Sequence, residues 1–169
     1  SKWDIQGQSM FSEDGTQYAT VCMKTNQLFL ADFDRCSGML SNGRYYAVPI
    51  IWNNNPYDST DQDVHTVGLS FSPNGRFVYV AKDFNIMQID LQDANPALSW
   101  VQVAGIDTSW QQFQRYSTIY PGPDGRLYIG NWNALSAQMS VVNNPNAKGA
   151  ACGFCARCMR FPKFKFSPT

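Results

Sequence analysis

The stretch "SFSPNGRFVYVA", residues 70–81, decides the fold. A turn signal at Pro73-Asn74-Gly75 leads into Phe77-Val78-Tyr79-Val80. Asn-Gly tolerates the positive φ of a tight hairpin turn, and aromatic and β-branched residues favour a strand. Successive side chains of a strand point to opposite faces, so Phe77 and Tyr79 face one way and Val78 and Val80 the other. A sheet with one wet face would alternate apolar with polar residues. Here both faces are apolar, and a short strand of that kind must be covered on both sides.

Nearly the same phrase occurs twice more. "MFSEDGTQYATV" stands at 10–21 and "YPGPDGRLYIG" at 120–130. Each has an Asp-Gly turn followed by a β-favouring run, and each is followed at similar distance by a second run: "LFLADFD" (28–34), "IMQIDLQ" (86–92) and "MSVVNNP" (139–145). Turn, strand and strand recurring every 50 to 60 residues or so amount to an internal repeat. The repeats are expected at about 5–50, 64–105 and 116–154, with a C-terminal segment at 155–169, all in one region. Small antiparallel sheets stacked face to face supply the required two-sided cover, as in propeller blades. An all-β, propeller-type fold is therefore expected ahead of a β-sandwich, which would leave one face of each sheet polar. Known propellers close with about four to eight blades. Three repeats make an incomplete ring, so the missing cover is expected from further blades of the same polypeptide or from copies of the same chain.

Composition agrees. Charged residues make up 15% of the 169 residues, against roughly 25% in an average soluble domain. Polarity comes instead from thirteen Asn, twelve Gln and fourteen Ser. The formal net charge is zero, which gives no general attraction to nucleic acid. No apolar run reaches the roughly 20 residues of a membrane span. The chain opens "SKWDIQGQ", without Met or a signal-peptide pattern, as expected of a mature product or a piece of something longer.

Four phrases in order, "LADFDRCSGMLSN" (30–42), "GLSFSPNGRFVYVA" (68–81), "YPGPDGRLYIG" and "VVNNPNAKGAACGF" (141–154), resemble the propeller-like repeat region of large secreted and surface proteins of Bacteroidetes. Those proteins often end in a gliding-motility-associated, type IX secretion sorting domain. The resemblance covers about residues 7–166, and "FDRCSG" and "NNPNAKGAAC" are its more specific parts. It implies export to the cell surface or medium and a structural or adhesive role without a known reaction. Where those relatives would carry something like Gln-His-Gly after the late Cys, this chain has "CGFCARCMRFP".

Candidate chemistry is sparse. Of five cysteines, Cys152, Cys155 and Cys158 form C-x-x-C-x-x-C, but the further Cys before Pro of a bacterial ferredoxin run is missing. Zinc would need Cys36 or His65 to complete four ligands. Disulfides suit an exported protein better. Cys22, inside a strand-like run, is expected to be a buried thiol, and Cys36 to pair with one of the C-terminal trio. The sole histidine, His65, has no nucleophile elbow beside it and reads as a structural hydrogen bonder. Asp58, Asp61 and Asp63, in an Asn-rich loop, are the candidate calcium ligands, although the spacing fits no EF-hand. Trp52 with Asn53 and Asn54, and Trp132 with Asn133, pair a flat ring with amides, as neutral glycans require; aromatic filler between blades is the competing reading. Alternating bases and phenylalanines in "RCMRFPKFKF" read as a charged edge strand.

The expected function is that of a non-enzymatic, exported structural or adhesive module at the cell surface. A glycan- or ligand-binding module is the alternative. A metal-dependent hydrolase of the lactonase-like propeller type comes third, because a channel lined by carboxylates needs a closed ring.

Overall fold

The computed structural model describes residues 7–23, 25–49, 65–105, 115–132 and 137–161. Strands β1 (Ser9–Phe11), β2 (Gln17–Cys22), β3 (Gln27–Asp34) and β4 (Met39–Ala47) form the first sheet. The second contains β5 (Thr66–Phe71), β6 (Phe77–Lys82), β7 (Asn85–Asp90) and β8 (Val101–Ala104). The third contains β9 (Tyr116–Pro121), β10 (Leu127–Asn131), β11 (Gln138–Val142) and β12 (Phe154–Arg160). In each sheet chain neighbours are spatial neighbours, all antiparallel. These are three propeller-type blades. The third continues past 154, because Val141 pairs with Cys155 and Gln138 with Arg160. The start of the expected C-terminal segment is thus the blade's fourth strand.

The repeated phrase builds the same corner three times. Gly15, Gly75 and Gly125 adopt φ of 66°, 69° and 75°, the left-handed region that the turn requires. One residue before each, a side-chain oxygen accepts the backbone N–H two residues on: Asp14 from Thr16 (3.0 Å), Asn74 from Arg76 (3.1 Å), Asp124 from Arg126 (3.2 Å). In the first two blades a serine hydroxyl closes the corner further, accepting Gln17 N–H onto Ser12 and Phe77 N–H onto Ser72. Gly122 stands at the equivalent place in the third blade, where the Tyr128 hydroxyl donates to Asp124 instead.

The middle blade is buried on both sides, as its alternation requires. Val78, Val80, Met87 and Ile89 pack against Ala19, Val21, Leu28 and Leu30 of the first blade. Phe77, Tyr79, Ala81 and Ile86 pack against Tyr116, Ile119, Leu127 and Ile129 of the third. All residues of β5, β6 and β7 are buried.

Polar contacts fix how the blades meet. Gln8 precedes β1, and its amide touches both other blades. Oε1 accepts from Leu69 N–H (3.1 Å) and Ile119 N–H (3.0 Å), while Nε2 donates to the Ile119 carbonyl (2.7 Å). Its own backbone N–H donates to Val67 O at 3.0 Å. Beside it, β5 and β9 approach so closely that a Cβ on Gly68 would collide with the Ser117 carbonyl. Further out, the 143–149 connection of the third blade clasps the second. The Tyr79 hydroxyl donates to Pro145 O (2.9 Å), Gln88 Nε2 donates to Ala147 O (2.8 Å), and Gly149 N–H donates back to Gln88 Oε1 (2.8 Å). Asp90, almost wholly buried, pairs with Arg76 (2.8 Å) and with Lys148 across the blade boundary (3.3 Å). This is what "NNPNAKG" is for in the fold.

Among the described residues no helix is long and apolar enough to cross a membrane. Gln8→Ala leaves the Leu69 and Ile119 amides without their acceptor, and is expected to cost about 1–3 kcal/mol in urea unfolding. Gln88→Leu, on the opposite clasp, is expected to add to it independently. Asp90 is held at about 2, first by the Arg76 guanidinium, against an ordinary 3.8. Because the folded value is the lower, this stabilisation is present above the unfolded value and lost as pH falls through the folded one. Stability is expected to drop by about 2 kcal/mol on this account between pH 4 and 2. Asp90→Asn should flatten that part of a pH–stability curve.

Candidate functional site

The inner strands β1, β5 and β9 all begin at one end of the blade stack, where the β2–β3 and β6–β7 turns also lie. At this end β5 and β9 are each tied to the turn of the blade before them. Thr66 Oγ1 donates to Asn26 Oδ1 (2.9 Å), and Tyr116 N–H donates to the Asp83 carbonyl. Asn26 and Asp83 make these turns by adopting φ of 50° and 39°. Asp tolerates this region better than most residues.

Asp83 gathers charge around itself. Its carboxylate is 7% exposed and accepts the His65 backbone N–H at 2.7 Å. His65 Nδ1 lies 3.8 Å from its Oδ2 and Arg115 Nε 3.8 Å from its Oδ1. The imidazole and guanidinium are about two-fifths exposed, so both face solvent at the mouth while the carboxylate beneath holds them. The Arg115 guanidinium also lies over the Phe84 ring at 5.4 Å. Directly below, the Lys82 side chain is fully buried, and its ammonium donates to the carbonyls of Val48 and Pro49, both at 3.4 Å. Burial pushes it down to about 8, against a smaller upward pull from Asp83. An imidazole and a guanidinium presented side by side suit a carboxylate or phosphate group.

The expected site residues fare unevenly. His65 bonds Asp83 through its backbone N–H and carbonyl, while its imidazole lies 3.8 Å from the Asp83 carboxylate. Asp83, Arg115 and Lys82 had no motif to mark them; the Asp-Phe-Asn turn at 83–85 was the one local cue. Trp132 is 48% exposed at this same end, where its backbone N–H donates to Arg115 O (2.8 Å). Trp52, Asn53, Asn54, Asn133 and the calcium candidates Asp58, Asp61 and Asp63 lie outside the described residues. Among the described residues no group of three or more His, Cys, Asp or Glu could hold a metal ion.

The cysteines need correcting. Cys155 and Cys158 are joined by a disulfide. The expected partner Cys36 is instead exposed and unbridged, in the β3–β4 turn of the first blade. That turn is held by Asp34, which accepts Cys36 N–H (2.9 Å) and the Ser37 hydroxyl (2.8 Å). The fully buried thiol is Cys152, packed with Tyr79, while Cys22 is half-buried. The expectation failed because it took the trio as one end of a clip, whereas blade three lies beyond the middle blade from Cys36.

At the opposite end the three repeated corners surround a cleft of about 460 Å³. Met10, Phe11, Phe71, Pro73, Pro121 and Pro123 give it an apolar wall.

The molecule is thus an arc of propeller-type blades with one charged and one apolar mouth. No protein-family model and no curated protein matches the chain. Solved structures do share the fold. The periplasmic gluconolactonase PpgL of Pseudomonas aeruginosa superposes with a TM-score of 0.55 at 17% identity, over 95% of this chain and 40% of that one. Hydrazine synthase of Kuenenia stuttgartiensis gives 0.52 at 16%, over 83% of this chain and 33% of that one. The extracellular domain of BT4673 from B. thetaiotaomicron gives 0.51 at 11%, over 94% and 18%. The chain spans two fifths or less of each of these proteins. Their varied names fit a fold that does not dictate function.

Lys82 gives a test at this end. Its folded value of about 8 is below its ordinary 10.5, so the penalty for burying the ammonium is complete below about pH 8. It fades as pH rises towards 10.5. Unfolding free energy is expected to gain up to about 3 kcal/mol from this group over that range. Lys82→Met should remove the rise and stabilise the protein at pH 7.

Proposed function

We propose that the chain is a docking arc of an exported β-propeller, a non-enzymatic structural or adhesive module at the cell surface or outside it. The observation that carries this is the contrast between its sheet faces. The middle blade is covered on both sides, whereas the outer face of the first is aromatic and open. Phe11 stacks on Tyr18 and Phe33 with ring centroids 5.2 and 4.7 Å apart, and Phe29 on Tyr45 at 4.9 Å. Tyr45 is 69% and Leu40, paired with Phe33, 47% exposed. An apolar surface of this sort marks an interaction site. Its occupant is a further blade of the same polypeptide. The chain's small share of the propellers it resembles supports this, as does its own rule that a blade packs aliphatic and aromatic side chains against the next. Export is supported by the disulfide, which persists in oxidising compartments, and by the periplasmic and extracellular settings named for two structures of like fold. The sequence resemblance to type IX secretion substrates points the same way.

A second reading rests on the His65–Asp83–Arg115 cluster: a ligand site, or a lactonase-like one, at the charged mouth. The likeness to a periplasmic gluconolactonase favours it.

Under the first reading the chain alone should self-associate with concentration in sedimentation or light scattering. Tyr45→Lys combined with Leu40→Lys should make it monomeric with its melting temperature little changed. A stable, dye-negative monomer of the unsubstituted chain sinks the docking face. Sugar-lactone hydrolysis that is lost in Asp83→Asn, and restored after chelation by a divalent metal, would replace the first reading by the second.

A further inference from the structure

The three late cysteines are equally spaced, so Cys155 could bridge backwards to Cys152 or forwards to Cys158. Burial decides. Cys152 lies in the short 3-10 segment Gly149–Cys152, fully buried in the cluster between the second and third blades. Its thiol is pushed up by that burial, with the Tyr79 hydroxyl beside it. It is a packed, protonated core residue and stands apart from solvent chemistry.

Cys155 and Cys158 are placed differently. β12 is the outermost strand of its blade, paired only through β11. Between the two cysteines Arg157 adopts a φ of 55°, and the β11–β12 register shifts between Met139 and Val141. The bulge is held by Arg157 N–H, which donates to Ser140 Oγ at 3.2 Å. On either side of it pairing resumes, Val141 with Cys155 and Met139 with Met159. The strand is therefore anchored on both sides of the bulge without help from sulfur. A bond between residues three apart also closes a very short loop, which constrains little of the unfolded chain. It joins nothing distant. Cys158 and its neighbours Met159 and Arg160 are exposed, Cys155 half-exposed. The bond is thus open to attack from solvent. A Cys-x-x-Cys disulfide that is exposed and adds little to the fold belongs to the labile, exchange-competent kind.

We propose that Cys155–Cys158 is a thiol–disulfide exchange site whose substrates are exposed cysteine thiols of peptides or proteins. A substrate thiolate attacks Cys158 Sγ. The S–S bond breaks, its electron pair leaves on Cys155 Sγ, and that thiolate takes a proton from water. A second substrate thiolate then attacks the substrate sulfur of the mixed disulfide and releases Cys158, which is protonated in turn. Two thiols have become a disulfide, and the cysteine pair has taken up two electrons and two protons. The site is independent of the docking and ligand readings above.

The test uses the full chain carrying Cys36→Ser, so that the exposed thiol of the first blade does not interfere. The probe is glutathione, in buffers from fully oxidised to fully reduced, with alkylation and intact mass as readout. The pair is expected to open and close reversibly with the fold retained. In the added variant Cys155→Ser, Cys158 should form a glutathione adduct at least tenfold faster than Cys152 does. A pair that stays closed in excess reduced glutathione overturns the proposal. So does a mass showing every cysteine reduced in protein isolated under oxidising conditions, or an adduct that forms at Cys152 as fast as at Cys158. The double variant Cys155→Ser, Cys158→Ser should keep its β circular dichroism spectrum and nearly its melting temperature; loss of the fold would make the bond structural and end the proposal.

Discussion

Everything in this molecule follows from one constraint: a sheet that is apolar on both faces must lie between two others. The alternation in β6 sends Val78 and Val80 into one apolar layer and Phe77, Tyr79 and Ala81 into the other. Burial of this kind supplies most of the stabilisation but has no direction. Direction comes from the polar contacts at the seams. Gln8 joins three blades with one amide group, at the point where the inner strands come closest. The backbone of β9 at Ser117 and Thr118 comes so close there that only glycine fits at 68.

The outer seam works by the same division. Tyr79 and Gln88 bring polar atoms into an apolar blade face, where unpaired they would be costly. Carbonyls and an amide from 143–149 satisfy them, so the third blade is accepted at one angle and register. At the charged mouth Asp83 does a related job. The backbone group it offers fixes the entry of β9, while its carboxylate orients His65 and Arg115. A structural corner thereby becomes a place where a polar ligand could be held. Structure and candidate chemistry share one residue there.

Stacking blades solves the middle of the array and leaves its ends. The outer face of the first blade remains aromatic because it is built by the same rule as the faces that are covered. Chemistry that needs solvent is accordingly found away from the seams. The Cys155–Cys158 pair sits on a peripheral strand, and Cys152, three residues earlier, is sealed between blades.

Strands, corners and the need for double cover were legible in the sequence, because each depends on residues adjacent in the chain. Positive φ at Gly75 is a local matter, and so is the apolar alternation of 77–80. The charged cluster was not legible, since Asp83 and Arg115 meet only once two blades have docked, and no spacing along the chain announces it. The same holds for Gln8, a polar residue whose three side-chain hydrogen bonds reach two residues 61 and 111 positions away. The expected pairing of Cys36 failed for the related reason that its separation from the C-terminal cysteines is set by how the blades stack. Local stereochemistry chose the parts; which parts touch was decided by the packing of one blade on the next.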